Sequence, residues 1–190
     1  MNKGIYKASG EYCWFLNSGD YAYKSTTLED IFSNDFDEDI VYGDVENKYD
    51  SKKCYIQNYK FEKIKSPIFW IHKRINHQSS FIRKHLFEKL GNYRGEKYRI
   101  TADTMFFMTA IFKQNISVKY ISVVFSVYMR NGISDNKENI PIIINERKNR
   151  YKELFFGFPF SYFLFRILSS LRYGKIAKIF KDIKYLCQKI

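Results

Sequence analysis

The sequence MNKGIYKASGEYCWFLNSGD, residues 1–20, contains the strongest fold signal in this chain and divides into two parts. Residues 1–9 are typical of the second half of a helix, which we expect to end at Gly10 because glycine commonly terminates helices. Residues 12–16, YCWFL, form a short apolar run without charge, which predicts a strand buried on both faces. The run ends in the polar turn NSGD, which contains the carboxylate of Asp20.

Asp20 follows the carboxyl end of this predicted strand, and open α/β sheets bind their ligands at that edge. An oxygen ligand in this position suits a hard divalent cation such as Mn²⁺ or Mg²⁺, which would in turn hold a diphosphate. The alternative is structural, because Asn-Ser-Gly-Asp is also a favourable turn sequence. The pattern alone leaves both interpretations open.

The remaining periodicity predicts further elements of an α/β domain. Residues 46–65 have no clean period and predict an irregular loop, and Asp44 is expected to stabilise a turn. We expect Leu28, Ile31 and Phe32 to face inward. Helices are predicted at residues 26–32, 84–90, 102–112 and 145–154, and strands at residues 40–42, 81–82 and 118–127.

The net charge of +12 is distributed unevenly over the 190 residues. Residues 147–190 contain eleven Lys and Arg and only two acidic residues, so their net charge is +9. The first 146 residues therefore have a net charge of only +3. A basic end of this kind predicts an anionic partner, either membrane lipid or nucleic acid. No nucleic-acid-binding motif is recognisable, so we expect no nucleic acid partner.

Two segments of the basic end favour an anionic membrane surface. Residues 154–171 are the most hydrophobic stretch, but Gly157, Pro159 and Arg166 interrupt them. They predict a helix that lies in the membrane interface rather than spanning the bilayer. Residues 175–190 repeat Ile and Leu at spacings of three and four, with lysines on most of the other faces, which is typical of a basic amphipathic helix. The alternative is a helix packed on the protein's own body.

The three cysteines, at positions 13, 54 and 187, are far apart and match no Cys-x-x-Cys or Cys/His spacing. We therefore expect no structural zinc site and free thiols, as in a reducing cytoplasm. Together with the basic end, this predicts a cytoplasmic protein bound peripherally to the inner face of the plasma membrane.

Five motifs in order resemble the family-2 glycosyltransferases, which are GT-A-fold enzymes that build bacterial surface polysaccharides. The resemblance covers roughly residues 1–135. In many members the metal-binding D-x-D signature is written N-x-G-D, as it is at Asp20. The motifs are the N-terminal stretch, DIVYGD at residues 39–44, HQSSF at residues 77–81, Ala102-Asp103 before a helix, and GIS at residues 132–134.

The resemblance implies a partial GT-A (Rossmann-like) mixed sheet flanked by helices, followed by the C-terminal basic amphipathic helical tail. We accordingly expect a partial glycosyltransferase domain at residues 1–145 and a membrane-associating tail at residues 146–190. In the family, two or three further βα units precede the M-N-K-G-I segment and form most of the base-binding pocket. This chain therefore resembles the half that binds metal and acceptor, and a separately encoded N-terminal half is one expected partner.

Residue roles follow from the resemblance. Asp20 would bind Mn²⁺ or Mg²⁺, and Asp103 would be the general base of an inverting transfer, taking a proton from the acceptor hydroxyl. The structural alternative for Asp103 is a favourable carboxylate in the first turn of a helix. A histidine at position 77 is also commonly structural. The residues expected to bind donor or acceptor are Asn17, Ser18, His77, Gln78 and Arg130.

The function implied is transfer of a sugar from a nucleotide-sugar donor to a hydroxyl of a saccharide or lipid-linked acceptor, in bacterial surface polysaccharide synthesis. The alternative is a truncated, non-catalytic remnant that remains as a basic, membrane-associated protein. Nucleotide-sugar turnover separates the two hypotheses, because only the first requires it.

Overall fold

The computed structural model describes residues 1–49, 53–114 and 116–155. The chain divides into two compact units, Met1–Arg147 and Lys148–Ile190. Within the described residues, the first unit is a mixed α/β fold with a six-stranded mixed sheet flanked by helices. The predicted fold class is therefore confirmed. The predicted amphipathic helix at 175–190 and nearly all of the segment 154–171 lie outside the described residues, and the predicted domain boundary stays a prediction.

The described residues form six strands, seven helices and two 3₁₀ turns. The strands are β1 (Tyr12–Trp14), β2 (Tyr21–Ala22), β3 (Ile40–Tyr49), β4 (Lys53–Gln57), β5 (Ser80–Arg83) and β6 (Val118–Met129). The helices are α1 (Asn2–Lys7), α2 (Thr27–Phe32), α3 (Phe61–Ile64), α4 (Pro67–His72), α5 (Lys84–Leu90), α6 (Ala102–Lys113) and α7 (Ile140–Phe155). Two 3₁₀ turns cover His77–Ser79 and Lys137–Asn139. No helix in this part of the chain is long and apolar enough to cross a membrane.

The sheet has the strand order β1-β5-β3-β6-β2, and β4 pairs with the second half of β3. The β3–β6 pair is parallel, whereas β5 is antiparallel to both β1 and β3. Strands β1, β3 and β6 therefore run in the same direction and end at the same edge of the sheet. The 3₁₀ turn that precedes β5 lies at this edge too, because β5 runs the opposite way.

Strand β3 is longer than predicted. The strand does not end at Gly43 but continues to Tyr49, and Asp44 lies inside it, at an irregularity in its pairing with β6. Tyr120 Oη donates to Asp44 Oδ1 at 2.8 Å, so Asp44 joins two strands rather than stabilising a turn. The predicted loop at residues 46–65 contains the rest of β3, β4 and α3. Asn47 is buried in β3 although it is polar, so the sequence of this strand does not show alternating apolar and polar residues.

Strand β1 is shorter and less buried than predicted. Only Cys13 is buried in it, because β1 is an edge strand that pairs with β5. In α2, Ile31 is fully buried as expected, but Leu28 and Phe32 are exposed, so their predicted orientation is wrong. The short helix places Thr27 inward instead.

The predictions for α5 and α6 are confirmed. Helix α5 covers the predicted residues, buries Leu86 and Phe87, and ends at Gly91, whose φ of 82° is readily adopted by glycine. Aromatic rings then join this helix to its neighbours. Phe87 stacks on Phe106 of α6 at 4.7 Å between ring centroids, and Tyr93 contacts both rings at 5.3–5.4 Å. This packing fixes the start of α6 relative to the sheet edge.

Gly43 provides a stability prediction because it lies where β3 and β6 approach each other closely. A Cβ atom at this position would lie 2.3 Å from Phe125 Cε1 and 2.5 Å from the Val123 carbonyl oxygen. Gly43→Ala is therefore expected to lower the free energy of unfolding by about 3 kcal/mol, measured by urea denaturation. Gly95→Ala is the control, because no heavy atom lies within 4 Å of its added Cβ. Equal stability of the two variants would contradict the packing described here.

Candidate functional site

A cavity of about 540 Å³ lies at the sheet edge where β1 and β6 end. Its walls come from the turn after β1, the 3₁₀ turn before β5, the start of α6 and the segment after β6. Residues that are far apart in sequence meet there because parallel strands end at one edge. Six of the residues singled out from the sequence line it: Asn17, Ser18, Asp20, His77, Gln78 and Asp103.

Asp20 joins three segments of the cavity wall. Its Oδ2 atom accepts hydrogen bonds from the Asn17 backbone N–H and from Gln78 Nε2, each at 3.1 Å. Its Oδ1 atom accepts from the Met129 backbone N–H at 3.0 Å, at the end of β6. The turn is closed by Gly19 at a φ of 92°. The carboxylate thus connects the turn after β1, the 3₁₀ turn and β6 by charge-assisted hydrogen bonds.

The donor set around Asp20 does not fit a divalent cation site formed by protein ligands alone. Both carboxylate oxygens already accept N–H groups, and these donors compete with a cation for the oxygen lone pairs. Among the described residues, no group of three or more His, Cys, Asp or Glu could hold a metal ion. The Mn²⁺ or Mg²⁺ ion expected from the sequence therefore stays a prediction.

His77 and Asp103 form the closest ionisable pair in the cavity. His77 Nδ1 lies 3.0 Å from Asp103 Oδ2, and their side chains are only 12% and 17% exposed. Burial alone would raise the pKa of Asp103. The hydrogen bond and charge of His77, the charge of Arg74 and the Thr104 backbone N–H outweigh it and hold that pKa below its usual value. Asp103 is therefore a carboxylate at neutral pH.

The other ring nitrogen of His77 faces the turn after β1. Asn17 Nδ2 lies 3.0 Å from His77 Nε2. An amide nitrogen can only donate, so Nε2 accepts this bond in the neutral imidazole. Asn17, His77 and Asp103 consequently form one chain of hydrogen bonds that links three segments of the cavity wall.

A buried carboxylate from α7 holds the residues that precede α6. Glu146 accepts hydrogen bonds from the Thr101 backbone N–H at 2.9 Å, from Thr101 Oγ1 at 2.7 Å and from the Ile100 backbone N–H at 3.2–3.3 Å. These donors lie next to the first turn of α6, where backbone N–H groups lack partners within the helix. Glu146 therefore fixes the segment that presents Asp103.

Arg130 is the one predicted binding residue that does not line the cavity. Its guanidinium pairs with Asp135 and donates to Asn47 Oδ1 at 3.3 Å. Its Cζ atom also lies 5.3 Å from the ring centroid of Tyr49 and 5.2 Å from that of Tyr128. This arrangement supports the loop after β6, and the predicted contact of Arg130 with donor or acceptor stays a prediction.

Several cavity residues were not identified from the sequence as candidate site residues. Arg74 brings positive charge to the cavity, and Tyr93 and Asn76 contribute buried polar groups. Tyr93 Oη and Asn76 Nδ2 find no hydrogen-bond partner among the described residues. Arg74 stands in a basic run that is typical of a solvated surface, and Tyr93 is one of 16 tyrosines, so neither gave a distinct signal.

The unpartnered hydroxyl of Tyr93 leads to a second stability prediction. Its side chain is 5% exposed, so the hydroxyl loses its water without gaining a partner. Tyr93→Phe is expected to raise the free energy of unfolding by about 1 kcal/mol in urea denaturation. The matched control is Tyr42→Phe, because the buried Tyr42 hydroxyl donates to the Tyr59 carbonyl at 2.6 Å. This variant should lower the free energy of unfolding by about 1 kcal/mol. A loss in both variants would show that Tyr93 has a partner.

Similar chains are found among solved structures. No family model matches the chain. No curated protein matches it either. The crystal structure of S. aureus TarS 1-349 in complex with UDP is similar at 17% sequence identity and a TM-score of 0.49. The match covers 81% of this chain and 44% of that chain, so this chain spans less than half of the length of that protein.

Proposed function

We propose that the cavity is the acceptor-side part of a glycosyltransferase site, which transfers a sugar from a nucleotide-sugar donor to an acceptor hydroxyl with inversion. The observation on which this rests is the meeting of Asn17, His77 and Asp103, from three separate segments, in one hydrogen-bonded chain inside one cavity. A volume of about 540 Å³ lies within the usual range for small-molecule sites.

The charged residues of the cavity suit both the attacking hydroxyl and the departing diphosphate of such a reaction. The His77–Asp103 pair offers a proton acceptor for the attacking hydroxyl. Arg74 and Arg99 line the same cavity and offer positive charge for a departing nucleoside diphosphate.

The wider assignment follows from the family resemblance. We propose a saccharide or lipid-linked acceptor, a role in bacterial surface polysaccharide synthesis, and peripheral attachment to an anionic membrane through the basic end. Mn²⁺ or Mg²⁺ dependence belongs to the same proposal. Because the described residues do not complete a cation site by themselves, Asp20 would share the ion with the diphosphate of the donor. A chelator tests it directly, because a metal-dependent transfer stops when the ion is removed.

The test is release of nucleoside diphosphate by the full chain. Purified protein is incubated with UDP-glucose, UDP-N-acetylglucosamine, GDP-mannose and dTDP-rhamnose, each with Mn²⁺, Mg²⁺ or EDTA. We expect release from at least one donor, and loss of that release in Ser18→Trp, because Ser18 is an exposed residue of the cavity wall. Ser25→Trp is the control, because Ser25 is also exposed but does not line the cavity.

Two outcomes would contradict the proposed function. The first is a folded wild-type chain that neither binds nor hydrolyses any of the four donors. The second is release that continues unchanged in Ser18→Trp, since a bulky ring in the cavity wall should exclude a nucleotide sugar.

A further inference from the structure

The hydrogen bonds of Asp103 leave it poorly placed to accept a proton itself. Its Oδ1 atom accepts from the Thr104 backbone N–H at 2.7 Å and from Thr104 Oγ1 at 3.3 Å. Its Oδ2 atom lies 3.0 Å from His77 Nδ1. Both oxygens are therefore engaged, and an ionised carboxylate held by such donors is a weak base.

The hydrogen bonds of His77 define one tautomer from two sides. Asp103 is a carboxylate and can only accept, so Nδ1 must carry the hydrogen. The Asn17 amide nitrogen can only donate, so Nε2 must present its lone pair. The neutral Nδ1–H tautomer satisfies both partners, whereas the Nε2–H tautomer satisfies neither.

We propose that His77 Nε2 is the atom that takes the proton from the acceptor hydroxyl, and that Asp103 is a positioning residue that holds the imidazole through Nδ1. This inference rests on the proposed function and specifies its base. The acceptor hydroxyl replaces the Asn17 amide as the donor to Nε2. An aspartate that orients a histidine in this way also stabilises the imidazolium formed.

The transfer balances with the residues named. The acceptor oxygen forms a bond to the anomeric carbon of the donor while the bond from that carbon to the diphosphate oxygen breaks. The electron pair of the broken bond leaves with the nucleoside diphosphate, and the hydroxyl proton moves to His77 Nε2. Solvent then removes that proton and restores the Nδ1–H tautomer.

The tautomer can be read without any substrate. The chain has three histidines, at positions 72, 77 and 85, so labelling histidine with ¹⁵N gives a simple spectrum. Signals that vanish in His77→Gln belong to His77. At mildly alkaline pH we expect the wild-type full chain to show His77 as the Nδ1–H tautomer.

Asp103→Asn should invert that tautomer. The Thr104 backbone N–H keeps the amide oxygen of Asn at the Oδ1 position, so the new NH₂ group points at His77 Nδ1 and donates to it. His77 must then carry its hydrogen on Nε2. Asp39→Asn is the control, because Asp39 pairs with the exposed His85 outside the cavity at 3.2 Å. It should leave the His77 signals unchanged.

Each result decides the inference. An Nε2–H tautomer in the wild-type chain, or an unchanged tautomer in Asp103→Asn, would overturn it. So would His77→Gln with a rate of donor hydrolysis within about threefold of wild type, although the proposed function would then stand. If the tautomers are as expected but the wild-type chain turns over no donor, the proposed function fails and the base assignment fails with it.

Discussion

Asp103→Asn is expected to lower the rate of nucleotide release from the best donor by roughly 10²–10⁴-fold, the usual contribution of general-base catalysis. Asn cannot fix the Nδ1–H tautomer of His77, and it cannot offset the charge of an imidazolium. The loss should appear mainly in kcat, because the aspartate acts through His77 and contributes most when the proton moves.

The control for this variant separates chemistry from folding. Asp39→Asn removes the same charge from another Asp–His pair, which lies outside the cavity. It should release nucleotide at close to the wild-type rate. If Asp103→Asn has the wild-type rate while its unfolding curve is unchanged, neither residue of the His77–Asp103 pair acts in the transfer as proposed.

Asp103 also links stability to pH in a defined direction. Its pKa is below the usual value in the folded protein, because the His77 hydrogen bond and neighbouring charges outweigh the effect of burial. The folded state therefore binds this proton less readily than the unfolded state does. The stabilisation is present above the usual carboxyl pKa and is lost as the pH falls through the lowered value.

Glu146→Ala is expected to cause the largest loss of stability of the substitutions considered, about 3 kcal/mol or more in urea denaturation. The variant leaves the N–H groups of Ile100 and Thr101 and the Thr101 hydroxyl without their acceptor in a buried site. Nucleotide release should fall as well, because the segment before α6 presents Asp103 to His77.

Two further variants make this prediction specific. Glu146→Gln keeps one acceptor oxygen and should lose less stability than Glu146→Ala. Glu138→Ala removes an exposed carboxylate whose hydrogen-bond partner among the described residues is nearby Asn136. The free energy of unfolding of this variant should stay within about 0.5 kcal/mol of wild type. Similar losses in Glu146→Ala and Glu138→Ala would contradict the role given to Glu146.

Local patterns were sufficient where they coincided with local structure. The glycine after Leu90 and the apolar spacing of Leu86 and Phe87 predicted α5, and the long apolar run after Asp103 predicted α6. The strand around Phe81 followed from its apolar run. In these segments burial, the residues at helix ends and the spacing of apolar residues all favour the same element. Secondary structure is predicted most accurately where such signals agree.

Prediction failed where the tertiary environment reversed the local signal. Asn47 is polar but fully buried inside β3, so the second half of that strand looked irregular. Phe32 is apolar but exposed, which no helical period reveals. Glu146 stands in a charged run typical of a solvated helix, although it is buried against residues 45–46 positions earlier in the chain. Contacts at that separation leave no trace in a local pattern.

The site followed from the sequence only in part. The family motifs drew attention to Asn17, His77 and Asp103, and the sheet topology brings these residues to one cavity. That His77 faces Asp103 through Nδ1 and Asn17 through Nε2 depends on three-dimensional geometry. Tyr93 and Arg74 join the cavity for the same reason and had no motif to mark them.

The most direct test of the cavity as a nucleotide-sugar site is to map where a nucleotide sugar binds. The ¹⁵N-labelled full chain is titrated with each of the four donors, and backbone amide shifts are followed. We predict that the largest shifts cluster at residues 17–20, 77–78, 101–104 and 129, which enclose the cavity. Shifts concentrated elsewhere in the chain, with these amides unmoved at saturating donor, would contradict it.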